Sequence, residues 1–286
     1  LIGIVMIAIL ARIPREFVMS ALGTQLGFRG IMRATVAGVL LDLCSHGVLM
    51  VGAKLYERGA STGQVIAFLV SSPWNSLSLT LILIALIGLP WTAAFIVLSM
   101  LIAVTTGVAF DWCTRNGVLP ENPRKNELPD DFKFWPEASK RFNGVRLTPH
   151  YIVEMLIEGV KESRMVMRWI LSGVLLASIV RAFVSPELFQ EYFGPTLLGL
   201  SITIVLATVL EVCSEGSTPI AADILTRAGA PGNSFAFLMG GVATDYTEIM
   251  IIRDTTSSWK VALFLPLITL PQIILLAWMI NQLSLG

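Results

Sequence analysis

Apolar runs long enough to cross a bilayer recur along this chain, and polar residues fall between them rather than along one face. A membrane-crossing helix needs about 20 mostly apolar residues. Stretches 1–11, 30–53, 65–88, 90–110, 165–184, 195–212, 232–252 and 260–281 meet or approach that length. The runs Leu77–Ile87 and Trp91–Val104 carry no polar stripe at the helical period, which a surface helix of a water-soluble domain would show. Backbone N–H and C=O groups in lipid must pair within their own segment, so helices are the default. The alternating pattern of a membrane β-barrel is missing from the sequence. The pattern predicts an all-α polytopic membrane protein of about eight spans, several of them interrupted. Leu1 opens inside an apolar run, so the first span is expected to be cut short, and nothing there reads as a signal peptide.

One region breaks the pattern. Residues 111–150 carry Asp111, Arg115, Glu121, Arg124, Asp130, Lys133 and further charges, among Pro120, Pro123, Pro129, Pro136 and Pro149. Prolines at that density stop helices. The chain therefore divides into a first transmembrane repeat at 1–112, a polar linker at 113–150 and a second transmembrane repeat at 151–286. Residues 151–164 read as an amphipathic surface helix. Basic residues around the linker favour the cytoplasmic side. Lys54, Arg58, Asp223 and Arg227, beside Gly59 and Gly229, read as solvated loop charges.

The two parts resemble each other. A shift of 169 positions lays Cys44 on Cys213, Ser45 on Ser214, Gly47 on Gly216, Arg58 on Arg227 and Gly63 on Gly232. Ala67-Phe68-Leu69 falls on Ala236-Phe237-Leu238, and Asp42 meets Glu211. The expected architecture is two homologous repeats of broken transmembrane helices, a mark of secondary transporters. Parallel and inverted arrangements of the repeats both remain open.

Composition supports the membrane class. The chain is 55% hydrophobic and 14% charged, against roughly 25% charged in a soluble domain. Lys+Arg and Asp+Glu both number 20, so the chain has no basic excess and nucleic acid is not an expected partner. Three cysteines at wide spacing make no disulfide framework.

The candidate chemistry sits at the interruptions. Asp42-Leu43-Cys44-Ser45-His46-Gly47 breaks one run and Glu211-Val212-Cys213-Ser214-Glu215-Gly216 another, with Pro219 following. Interrupted helices at matching places in two halves point to a transporter's binding site. Ionisable groups at membrane depth are costly and usually functional. Cys44, His46 and Cys213 suit a soft or borderline metal, and two converging thiols suit a trivalent metalloid. Asp42, Glu211 and Glu215 would tune charge or carry protons, with Ser45 and Ser214 beside them. A second matching pair of breaks holds Asn75 in one half and Thr244 with Asp245 in the other, all expected to line a polar cavity. Asp245 and Glu248 also suit a helix N-terminus. Cys113 reads as packing beside the linker. No P-loop is present, so ATP is not the direct energy source, and no cofactor is called for.

The paired motifs Cys44-Ser45-x-Gly47 with Ala67-Phe68-Leu69 and Ser72-Pro73, then Val212-Cys213-Ser214-Glu215 with Pro219-Ile220-Ala221, Ala236-Phe237-Leu238 and Ala243-Thr244, resemble the predicted permease family that includes ArsP and YraQ. The resemblance covers both halves, about residues 10–112 and 150–282. It implies a multi-pass permease of the inner cell membrane exporting trivalent organoarsenicals or heavy metals, with Cys44 and Cys213 as substrate ligands. Many members read Cys-Ser-Cys in the first motif; here the third position is His46, which hardens the site and keeps a divalent metal open. Substrate and lipid bilayer are the expected partners, and a homo-oligomer stays open. Two rival readings remain: an intramembrane thiol–disulfide oxidoreductase, and a permease for an organic or anionic solute with structural cysteines.

Overall fold

The computed structural model describes residues 27–40, 45–57, 59–71, 77–123, 186–210 and 214–284, with isolated helical positions at 171, 175, 178 and 179. Among the described residues every regular element is a helix. In chain order they are α1 (Phe28–Leu40), α2 (Ser45–Glu57), α3 (Thr62–Ser71), α4 (Leu77–Ile87) and α5 (Leu89–Arg115). After the linker come α6 (Pro186–Phe193), α7 (Leu197–Leu210), α8 (Ser214–Thr226), α9 (Pro231–Thr244), α10 (Tyr246–Thr256) and α11 (Trp259–Ser284). The expected span at 1–11, the surface helix at 151–164 and most of 165–184 and of the linker lie outside the described residues.

Among the described residues three helices are long and apolar enough to cross a membrane: Leu89–Arg115, Pro231–Thr256 (α9 with α10) and Trp259–Leu283. At about 1.5 Å per residue, the 27 residues of α5 reach about 40 Å. These helices turn large apolar side chains outward, such as Val97 and Leu101 on α5 and Leu263 and Leu267 on α11, and bury Ser99, Thr106 and Thr269. The inward hydroxyls bond to carbonyls of their own helix: Thr203 Oγ1 donates to Gly199 O (2.7 Å) and Ser99 Oγ to Ile96 O (2.8 Å). Bonded in this way, these two hydroxyls sit in an apolar interior without an orphaned donor.

The expected spans at 30–53 and 65–88 each divide into two helices, α1 with α2 and α3 with α4. Residues 41–44 and 72–76, which carry polar interruptions of the sequence, lie between them and outside the described residues.

The helices after the linker keep the succession of those before it. α2 starts at 45 and α8 at 214, α3 at 62 and α9 at 231, α4 at 77 and α10 at 246, each 169 positions apart. α5 starts at 89 and α11 at 259, one further. The extra residue lies in the connection: Ser257 and Ser258 join α10 to α11, whereas Gly88 alone joins α4 to α5. Both connections use the left-handed region, at Gly88 (φ 85) and Ser257 (φ 52).

Close contacts set the helix directions. At one end of α1, Ile31 meets Gly107 of α5, which itself lies against Gly63 of α3; at the other, Gly38 lies against Phe68 and Ser71. α1 and α3 therefore run the same way. α2 returns beside α3, with Gly52 against Leu69, and a short turn joins them. The second set repeats this: Asn233 of α9 lies against Gly199, the Thr208 and Thr244 hydroxyls meet at 3.0 Å, and Ser234 Oγ donates to Ala221 O of the returning α8 (2.7 Å).

α10 extends α9 away from the α8–α9 turn, whereas α2 runs back toward the α2–α3 turn. Across the two sets α2 packs against α10, and α8 against α4. α5 and α11 cross between them, where Gln272 Nε2 donates to Thr106 Oγ1 (3.1 Å) and Phe95 meets Phe235 with ring centroids 5.4 Å apart.

Two acids differ from the expectation of solvated charges. Asp111 belongs to α5, is 8% exposed, and its Oδ1 accepts from Gly63 N (3.1 Å). The first N–H groups of a helix have no partner within it, so this carboxylate holds the start of α3. Asn281 does the same for α9, accepting from Gly232 N (2.8 Å). Asp223 is 2% exposed within α8, and Arg227 pairs with it at 3.9 Å while stacking over Phe189 (4.8 Å). α5 runs to Arg115, and Asn122 Nδ2 ties the chain back to Tyr56 O (2.7 Å) and Ala60 O (2.9 Å).

Candidate functional site

The predicted ligands fall in the two matching polar interruptions of the sequence. Asp42 and Cys44 lie in the gap before α2, and Glu211 and Cys213 in the gap before α8, all outside the described residues. Asn75 lies in the gap before α4, also outside them. Ser45 and His46 open α2, and Ser214 and Glu215 open α8; their backbone is helical, and their side chains are outside the described set. The described parts of α2, α4, α8 and α10 each begin beside one of the four polar interruptions of the sequence, and at α10 the start itself is described, with Asp245 before it. A helix N-terminus carries partial positive charge and free N–H donors.

Thr244 and Asp245 stand at the fourth break. Thr244 Oγ1 donates to Gly240 O (2.8 Å) and meets Thr208 Oγ1. Asp245 Oδ1 accepts from Thr247 N (2.7 Å), which makes Asp245 the N-cap of α10. That geometry is the ordinary helix-start role.

The seam between α2 and α10 is the best-defined part of the site. Leu49, Ala53 and Tyr56 of α2 face Ile251, Ile252 and Thr255 of α10 across a narrow crevice closed by α3. Glu248 occupies the first turn of α10. It is 3% exposed, and its Oε2 has no hydrogen-bond partner among the described residues. Its spacing from Ile251 and Ile252 puts it on the same helix face. Sequence reasoning took Glu248 only as a helix-start acid; its spacing to Ile252 was the available signal for burial.

Cys113, near the end of α5, is buried and unpaired by any disulfide, far along the chain from either motif. Among the described residues no group of three His, Cys, Asp or Glu side chains comes together.

Membrane-length helices interrupted at paired polar motifs are the architecture expected of a permease, and comparison with known proteins agrees. A family model described as a predicted permease matches residues 1–283. The chain belongs to this ArsP-type permease family. A Streptococcus mutans protein, named as a subunit of a two-component membrane permease complex, is 20% identical over 227 residues, covering 78% of this chain and 71% of its own. No solved structure matches this permease.

Proposed function

We propose that this permease is a secondary-active exporter of a thiophilic metal or metalloid species, either a trivalent arsenical or a soft or borderline divalent metal. It would sit in the inner cell membrane as two homologous, inverted repeats with about eight spans. One observation carries the reading: the described parts of α2 and α8, at corresponding places in the two sets, begin directly after Cys44 and Cys213 in the sequence. The 169-position spacing of the helices and the contacts of α2 with α10 and of α4 with α8 support inverted repeats. In such transporters cargo lies near the midplane, at discontinuous helices between the repeats.

Cys44 and Cys213 bind the cargo in this reading, and His46 adds a nitrogen ligand. Thiolates favour soft ions, while an imidazole extends the range to borderline ones such as zinc. Asp42, Glu211 and Glu215 tune charge or carry protons. Ser45, Ser214, Asn75, Thr244 and Asp245 line the cavity. Alternating access follows when one inverted set rocks against the other around the fixed motifs.

The test is uptake of methylarsonous acid and of Zn²⁺ by everted membrane vesicles containing the full chain. Cys213→Ser is expected to reduce uptake to that of vesicles lacking the protein, with unchanged amounts of folded permease. Full uptake by Cys213→Ser overturns the ligand role.

A further inference from the structure

We propose that Glu248 is a protonation site that couples cargo movement to the proton gradient. The inference rests on the permease reading above, though not on the identity of the cargo.

Glu248 shares one face of α10 with Ile251, Ile252 and Thr255, the face turned to α2 and the crevice. It is 3% exposed, and Oε2 has no hydrogen-bond partner among the described residues. No described cation pairs with it. On its own helix, Asp245 is the N-cap, Tyr246 is exposed, and Arg253 pairs with Asp254 while stacking over Trp259 (5.2 Å). α9 has no titratable side chain, and α11 has only Lys260, exposed in its first turn. α2 carries Tyr56 at the far end of the seam, exposed Glu57, and His46 and Lys54, whose side chains are outside the described set.

The fold does not need an acid here. The matching contact between α4 and α8 places Leu79 where α10 has Glu248, 169 positions on, and Leu79 is 2% exposed. Hydrocarbon therefore fills this position in one set and a carboxyl fills it in the other. A buried charge without a partner is expensive, so a retained acid points to a task. A metal ion needs several donors, whereas a proton needs one lone pair, and no cluster of acidic, thiol or imidazole ligands surrounds Glu248 among the described residues.

The position also suits coupling. The α2–α10 seam joins the two sets, so rocking one against the other opens and closes it. Opened, the carboxyl exchanges its proton with water; closed, it carries the proton or remains bare.

The test uses the wild-type permease in lipid vesicles treated with dicyclohexylcarbodiimide, which modifies protonated carboxyls in apolar sites. Peptide mass spectrometry is expected to find the adduct on Glu248 and to see it fall along a one-proton curve as pH rises. In parallel, a pH gradient should drive methylarsonous acid or Zn²⁺ into vesicles of the wild type, not of Glu248→Gln, and partly of Glu248→Asp. No adduct on Glu248, or one independent of pH, overturns the proposal. So does gradient-driven transport that is unchanged in Glu248→Gln. If wild-type vesicles move neither cargo, the cargo reading fails, and the pH dependence of labelling still decides the role of Glu248.

Discussion

Replacing Glu248 by methionine measures what this carboxyl costs the fold. Its Oε2 is buried without a partner among the described residues, and an unsatisfied buried polar group costs about 1–3 kcal/mol. Methionine is unbranched and fills irregular space. Leu79 shows that the matching place in the other set accepts hydrocarbon. Glu248→Met is therefore expected to stabilise the permease by about 1–3 kcal/mol. At about 2 °C per kcal/mol for a large domain, the apparent melting temperature rises by roughly 2–6 °C. The seven tryptophans supply an intrinsic fluorescence signal for thermal unfolding in detergent. The same variant is expected to lose gradient-driven transport, so stability and activity move in opposite directions. A melting temperature lowered by several degrees refutes the reasoning, because it means that the carboxyl makes a bond on which the fold depends.

Other predictions concern packing and helix starts. Gly232→Ala drives a Cβ into Ala277 O and Asn281 Oδ1 and should cost about 2–4 kcal/mol from overpacking and a weakened hydrogen bond. Gly241→Ala, with nothing within 4 Å of its Cβ, should stabilise α9 by about 0.5–1 kcal/mol; equal melting temperatures for the two alanine variants would contradict this contrast. Asp111→Ala leaves the buried Gly63 N–H without its acceptor and should cost about 1–3 kcal/mol, while Asp111→Asn keeps an acceptor, as Asn281 does in the second set. Unfolding both variants side by side checks this, and an equal loss from each would rule out the cap.

The positions of the long helices are legible in the sequence because lipid leaves few alternatives: a spanning segment must be apolar over its whole length. One break is legible for a related reason: polar Thr244-Asp245 within an apolar run conflicts with an uninterrupted span, and α9 ends there. Direction is not legible, since the hydropathy of a helix reads the same from either end. Which helices touch across the two sets, α2 with α10 and α4 with α8, is equally absent from the hydropathy. Asp111 escapes a compositional reading because it borders a charge-rich stretch, yet a single backbone N–H of Gly63 makes it a buried cap. Asp223 looks like a loop charge beside Gly229, but α8 extends past it to Thr226. At the fourth break, sequence treats Asp245 and Glu248 as one pair of helix-start acids. The geometry separates them: Asp245 accepts from Thr247 N, and Glu248 is buried.

The central claim is that Cys44 and Cys213 hold the cargo together. Its most direct test is calorimetric titration of purified, detergent-solubilised permease with methylarsonous acid, arsenite, Zn²⁺ and Hg²⁺, repeated on the Cys44→Ser, Cys213→Ser double variant. The account predicts saturable binding of at least one of these species by the wild type and its loss in the double variant, with folding unchanged. Equal binding by both proteins, or none by either, contradicts it.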